Sequence, residues 1–290
     1  MGSEAANSEA VQSINGMKAI AICADDYGID VNVDHAIVDL ARLGRLTATS
    51  VLVDAKIDAH SVAALQTLPV DIGLHLNFTE KLGELSADAV LPLNQLILRS
   101  HARLLPRRWV RANIERQLDR FEALMGRCPD YVDGHLHVHQ LPIIRDELLD
   151  ALNARHLPAG FWVRDTRAGD LSGSPLAERF KSWVVGHLGM GRLARGARGR
   201  NVGFNRGFFG VYDFTKDHRP FIQMMAGWLT RADLGALIMT HPSSQALPGD
   251  PIGQARVQEY QALGSQAFGA LLQQKGVKLV RASQVLSSLP

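Results

Sequence analysis

Short apolar, strand-like runs alternate with helix-like segments along almost the whole chain, and several of the runs end on ionisable side chains. Lys18 to Ala24 (KAIAICA) is such a run, followed by Asp25-Asp26-Tyr27-Gly28. Val33, Ala36, Ile37, Leu40 and Leu43 then recur at helical spacing up to Gly44. Thr47 to Val53 is β-branched and strand-like, Ala55 to Leu68 is helix-like, and Val70 to Asn77 is a third strand with His75 and Asn77 at its polar end. Residues 80–106 read as a long connection of weak periodicity. Val110, Ile114, Leu118, Phe121 and Leu124 mark a helix, and Tyr131 to His139 a central strand and its loop. Pro142 opens the next helix, through Leu152, and Phe161 to Arg164 is a short strand. Residues 165–213, rich in Gly and Arg, read as irregular, and 215–231 as a helix. Leu234 to Met239 is a strand ending at Thr240-His241-Pro242. Asp250-Pro251 has the form of an N-cap and first-turn pair, opening a helical pattern that reaches Gln274 with a break near Gly264. Val277 to Val280 is the last strand.

This alternation implies an α/β fold, and about seven parallel strands suit a distorted (β/α) barrel, with an open doubly wound sheet as the alternative. No strand is followed by a glycine-rich G-x-G-x-x-G or P-loop turn, which removes support for nucleotide binding. Residues 1–16 are small and polar and read as a disordered leader or expression remnant. Residues 17–290 read as one barrel domain, with the Gly/Arg-rich stretch at about 165–213 as an insertion. A formal net charge of +2 implies no strong general attraction to nucleic acid or to a membrane. Cys23 and Cys128 are too few for a disulfide framework, so a reducing, cytoplasmic setting is expected. No apolar run approaches the ~20 residues of a membrane span, and the N-terminus lacks a signal-peptide pattern.

The densest chemistry lies in Asp133-Gly134-His135-Leu136-His137-Val138-His139. If that segment is extended, His135, His137 and His139 share one face, where three imidazoles can gather around a cation. The alternative is a polar strand end whose histidines bind each other and water. Asp25-Asp26, His75, Asp133-His135 and His241 all fall at strand C-termini, which meet at one rim in a parallel α/β fold. One carboxylate and two imidazoles make an open metal site, a second carboxylate can take a proton from water, and a further imidazole can protonate a leaving amine. Of the Asp25-Asp26 pair, one can ligate while the other stays free as base, unless the pair caps the following helix. His241 is the candidate acid. Asp133 either binds metal or orients a histidine.

At these residues the chain resembles the YdjC-like family, which includes chitooligosaccharide deacetylases and hopanoid-associated deacetylases. The matching motifs are Ala24-Asp25-Asp26-Tyr27-Gly28, Gly73-Leu74-His75-Leu76-Asn77, Asp133 to His139, and Thr240-His241-Pro242, spread over about residues 18–285. The resemblance implies a distorted (β/α) barrel and hydrolysis of an N-acetyl group from an amino sugar or glycolipid-type substrate. It implies one divalent cation held by Asp26, His75 and His135, with Asp25 as general base and His241 as acid. Arg164 resembles a family arginine that holds a carboxylate, and His137, His139 and Asn77 are supporting or substrate-binding positions. Family members are described with Mg²⁺, whereas two imidazoles favour Zn²⁺ or another transition metal. Tyr27 stands where the family usually has Phe.

Arg192, Arg195, Arg198, Arg200 and Arg206 could clasp a phosphate-bearing substrate or line a solvated loop. Trp162, Phe208, Phe209 and Tyr212 could stack on sugar rings or pack in the core. Two other function classes fit such a rim: a metal-dependent sugar isomerase or aldolase, and a non-catalytic sugar-binding relic. The family resemblance and the apolar helix faces point to a homo-oligomer.

Overall fold

The computed structural model describes residues 16–215 and 219–286. The expected leader therefore lies, apart from Gly16, outside the described residues. The first strand, β1 (Lys18–Tyr27), is buried from its second residue onward, as expected for a strand covered on both faces. It leads into helix α1 (Val31–Arg42), capped by Asp30, whose side chain accepts from Asn32 N–H. Then follow β2 (Ala48–Val51), α2 (Ala59–Gln66) and β3 (Asp71–Leu76). Helices α3 (Leu93–His101) and α4 (Arg107–Met125) lead to β4 (Tyr131–Gly134) and α5 (Ile144–Asn153). Next come β5 (Trp162–Val163), α6 (Leu176–His187), α7 (Met190–Gly196), β6 (Gly203–Phe204) and β7 (Phe208–Phe209). The chain ends with α8 (Phe221–Arg231), β8 (Leu237–Thr240), α9 (Gly253–Gly264), α10 (Gln266–Gln274), β9 (Val277–Leu279) and α11 (Ala282–Leu286).

Eight strands run in the order β6-β5-β4-β3-β2-β1-β8-β7, with β9 added beside β1, and every pairing between these strands is parallel. The two outermost strands, β6 and β7, are consecutive in sequence and joined by residues 205–207. Four Cα steps span at most about 15 Å, so the sheet must curl until its edges nearly meet. Asn205 closes the seam. Its Oδ1 accepts from Asp165 N–H at 2.7 Å, and its Nδ2 donates to Asp165 O at 2.9 Å and Gly207 O at 3.2 Å. A bridge between Ala168 and Phe208 extends the closure. The expected distorted barrel is the observed one.

Alternation along β1 separates two cores. Ile20, Ile22 and Ala24 join the layer packed under the helices, whereas Ala21 and Cys23 join Tyr131, Trp162, Phe208 and Met239 inside the barrel. Tyr131 and Trp162 stack with centroids 4.0 Å apart, and a Cβ at Gly73 would run into the Tyr131 ring. These aromatics fill the barrel, so the expected choice between sugar stacking and packing resolves to packing for Trp162 and Phe208.

Four local expectations change. The connection 80–106 contains α3, and the stretch 165–213 contains two helices and two sheet strands rather than being irregular. Helix α9 begins at Gly253, not Pro251, because Asp250 Oδ1 accepts from Ile252 N–H in a preceding turn. Most consequentially, 135–140 is not extended: it is a short 3₁₀ stretch with Leu136 (φ 52°) and His137 (φ 59°) left-handed. Among the described residues no helix is long and apolar enough to cross a membrane.

Asn205→Ala leaves the buried Asp165 N–H unpaired, and a loss of about 1–3 kcal/mol is expected in urea unfolding. A second prediction concerns the turn after β1, where Gly28 N–H donates to Asp34 Oδ1 at 2.6 Å. Burial pushes the Asp34 carboxyl up to about 7 against the pull of that bond. An unfolded Asp titrates near ~3.9, so the folded state holds the proton more tightly and Asp34 lowers stability as pH rises between the two values. Asp34→Asn should then be more stable than the parent at about pH 8 by roughly 1–3 kcal/mol and equal to it near about pH 4. An identical difference at both pH values would rule Asp34 out as the titrating group.

Candidate functional site

The rim at the strand C-termini carries the acids and imidazoles. The register between β1 and β2 slips between Ala24 and Tyr27, and Asp26 is left-handed at φ 73°. This bulge re-aims the chain, so Asp25 and Asp26, which a regular strand would point to opposite faces, both serve one cluster.

On one side, Asp26 Oδ1 lies 3.0 Å from His135 Nδ1 and 3.4 Å from His75 Nε2. The ligand atoms of Asp26, His75 and His135 lie within 4.8 Å of one another. His75 and Asp133 are direct partners across β3 and β4, and Asp133 Oδ1 sits 2.6 Å from His75 Nδ1. Asp133 thus orients the ring from behind and leaves Nε2 for the cluster, as carboxylates do behind metal-bound histidines. Burial alone would lower the His75 pKa, but Asp133 and the neighbouring acids raise it to about 10. Burial likewise opposes the charge on Asp26, and His135, His75 and Arg256 override it, holding the carboxyl well below the usual range. One carboxylate oxygen facing two imidazole nitrogens fits a divalent cation with open positions, and the nitrogens favour a transition metal over Mg²⁺.

On the other side, Arg164 is fully buried. Its Nη1 donates to Asp25 Oδ2 at 2.6 Å, and its Nη2 lies 2.5 Å from Asp25 Oδ1, 2.5 Å from Asp133 Oδ2 and 3.1 Å from Cys23 Sγ. Cys23, Asp25 and Asp133 also cluster tightly enough to suggest a second metal position, but the guanidinium already stands among them. Burial would raise the Asp25 pKa; Arg164 overrides it and keeps Asp25 ionised. His241, just beyond β8, places Nε2 4.0 Å from Asp25 Oδ2. Its Nδ1 is buried without a hydrogen-bond partner, and burial lowers its pKa to about 4 despite Asp25, so the ring rests neutral.

The left-handed turn at Leu136 and His137 spreads the three histidines instead of aligning them. His135 reaches Asp26. His137 is half-buried, with its Nδ1 shielded and unpartnered and its ring edge-on to Phe208 at 5.6 Å. His139 points inward, its Nε2 3.0 Å from Arg164 O. Asn77 stays outside the cluster: its Oδ1 accepts from Thr79 and Glu80 N–H, and its Nδ2 donates to Glu80 O. The cluster also holds residues the sequence did not flag. Arg256, from α9, donates to Asp26 Oδ2 at 2.7 Å and is held in turn by Asp250 at 2.6 Å. Glu259 accepts from His241 N–H and from Tyr212 O–H, and burial raises its pKa to about 7. Both lie in a helix with no motif around them; only their spacing of three, which puts them on one helix face, was visible.

Residues 19–274 match the family model described as YdjC-like protein. The chain belongs to the YdjC-like family. This YdjC-like protein is similar to the carbohydrate deacetylase of Danio rerio, 31% identical over 46% of this chain and 46% of that protein. It is similar to the chitooligosaccharide deacetylase of Proteus mirabilis, 30% identical over 48% of this chain and 57% of that protein. These alignments span about half the length of each relative. The human carbohydrate deacetylase aligns over 93% of this chain and 92% of its own length at 24% identity. A crystal structure of an Enterococcus faecalis protein named for cellobiose-phosphate cleavage shares the fold, with a TM-score of 0.63 at 18% identity over 93% of this chain and 99% of that one.

Replacing Arg164 leaves two buried carboxylates facing each other without their cation. Arg164→Met is expected to cost about 3–5 kcal/mol in chemical denaturation. A loss under about 1 kcal/mol would show that the guanidinium is not the electrostatic centre of the rim.

Proposed function

We propose that this YdjC-like protein is a metal-dependent carbohydrate N-deacetylase, releasing acetate and a free amine from an N-acetylated amino sugar or glycoconjugate. The observation that carries this reading is the division of the rim. Asp26, His75 and His135 converge on one point, while Asp25, held apart by Arg164, faces His241 across 4.0 Å. The names of the relatives from Danio rerio, Mus musculus and Proteus mirabilis point the same way.

Asp26, His75 and His135 would hold the cation. When bound, a divalent cation there supplies Lewis acidity toward an amide oxygen and lowers the pKa of water. The chain's own residues do the proton transfers. Asp25, kept ionised by Arg164, accepts the proton of the attacking water. His241 rests neutral, so the proton it delivers to the departing amine nitrogen is the one Asp25 has taken, passed across the gap between Oδ2 and Nε2. The C–N bond breaks as the water oxygen joins the acetyl carbon, and one water proton ends on the amine. The other leaves with the product as acetic acid and is lost to solvent as it ionises to acetate, and Asp25 and His241 return to their resting states. Burial of Arg164, Asp25 and Asp133 keeps water from screening these charges.

The test pairs metal content with acetate release from N-acetylated oligosaccharides. Asp25→Asn should keep a full equivalent of metal and lose about 10²–10⁴ in turnover. His135→Ala should lose metal and activity together. Near-normal turnover in Asp25→Asn would remove the base assignment, and metal retained by His135→Ala at parent affinity would remove the ligand assignment.

A further inference from the structure

Helix α6 is built with its polarity reversed. Its buried residues are Glu178, Ser182 and Gly186, with Glu178 holding Trp228 Nε1 at 2.9 Å and Arg219 Nη2 at 2.8 Å. Its outward face carries Leu176 (78% exposed), Phe180 (67%), Trp183 (57%) and Val184 (36%). These four stand at i, i+4, i+7 and i+8, one stripe of the helix. A helix on the surface of a water-soluble domain presents the opposite pattern, and a contiguous exposed apolar stripe marks an interaction surface.

The charge around that stripe is mainly positive, with Asp170 the one acid lining the groove beside Leu176, Phe180 and Trp183. Beside the helix lies a cavity of about 540 Å³ whose lining includes Arg103, Arg145, Arg167, Arg192, Arg195 and His187. Asp165 pairs with Arg167, and Asp146 with Arg103 and Arg145. Arg179, on α6 itself, and Arg192 and Arg195 form no ion pair among the described residues. Arg200, by contrast, faces Asp150 at 3.6 Å and is tied to Leu149 O at 2.7 Å, so the arginine-rich stretch does not act as one clasp. Arg192 and Arg195 stand beside α6 without a carboxylate partner among the described residues, Arg195 Nε donating only to Gly191 O of its own helix at 3.1 Å.

We propose that α6 and its arginines form a docking face for an anionic lipid surface. The helix has 12 residues, too short to span a bilayer but suited to lie in the interface plane, with Phe180 and Trp183 in the acyl boundary and the guanidiniums at the phosphates. A second copy of the chain fits less well. An isologous contact through α6 sets each arginine cluster near its own copy, so like charges meet. The helix adjoins the segment that carries the site histidines: Gln140, next to His139, donates from Nε2 to Val185 O on α6 at 3.0 Å, and its Oε1 accepts from Thr166 Oγ1 at 2.9 Å. Docking through α6 would therefore hold the rim close to a lipid-anchored ligand.

The experiment is vesicle co-sedimentation of the full chain, with phosphatidylcholine vesicles containing about 30% phosphatidylglycerol against phosphatidylcholine alone. Binding to the anionic vesicles only is expected, with a blue shift of tryptophan fluorescence. Phe180→Ser/Trp183→Ser and Arg192→Gln/Arg195→Gln should each weaken binding by about tenfold or more, while circular dichroism and thermal melts of both stay at parent values. The proposal is overturned by absent binding to the anionic vesicles, by equal binding to both compositions, or by binding that either variant leaves unchanged. A concentration-dependent dimer that Phe180→Ser/Trp183→Ser abolishes, in a protein that ignores vesicles, would assign the face to a second copy instead. These readouts need neither metal nor turnover, so they stand or fall apart from the deacetylase reading.

Discussion

The rim depends on one buried cation. Among the described residues Arg164 is the only cationic side chain that touches Asp25 and Asp133 together, and all three are almost inaccessible to water. Removing so many charges from solvent costs several kcal/mol for each ion before their attraction returns any of it. A folding core would be better served by apolar residues, and the aromatic layer of Tyr131, Trp162 and Phe208 directly beneath shows that the barrel can supply them. The network is therefore better understood as site than as scaffold. The guanidinium fixes the protonation state and direction of Asp25, and through Asp133 it reaches His75 on the other side of the rim.

Backbone conformations that cost energy gather at the same place. Asp26, Leu136 and His137 are three of the five described non-glycine residues with positive φ, and each such position costs on the order of 1–3 kcal/mol. Each re-aims a side chain. The bulge at Asp26 brings adjacent carboxylates to one cluster, and the left-handed pair at 136–137 sends His135 to Asp26 while His139 goes under Arg164. Gly134 is required where this turn folds back, because a Cβ there would lie 2.8 Å from His139 N.

The barrel was legible in the sequence because parallel strands buried on both faces read as continuous apolar runs, as in Ala19 to Ala24. So was the rim, because side chains at strand ends share it whatever the loops do. What was not legible was local direction. Period-two alternation put His135, His137 and His139 on one face, and the left-handed turn undid that; nothing in the residue types announces such a turn except the glycine before it. The strands β6 and β7 were missed because two-residue strands carry no periodicity, and Asn205, which joins them, is one of two asparagines in an arginine-rich stretch. Arg256 was missed for a related reason. It sits 230 residues from its partner Asp26, and a single arginine on a mixed polar helix without an apolar stripe looks like solvated surface until the fold turns it inward.

Asp133 explains why the two halves of the rim act as one object. One oxygen orients His75 and the other faces Arg164, so the same carboxylate fixes the direction of a candidate metal ligand and shares the cation that keeps Asp25 ionised. A ring held only by its ligand role would be free to rotate when the ligand leaves; His75 is held from behind by a strand partner fixed in register. A carboxylate held only by solvent would shift its pKa with every change in hydration; Asp25 is held by a guanidinium that solvent does not reach. The consequence is a preorganised rim, in which the donors converge before anything binds and little reorganisation is left for the moment of reaction. The cost falls on stability, and the curled sheet with its packed aromatic interior supplies the rigidity that lets the fold bear it.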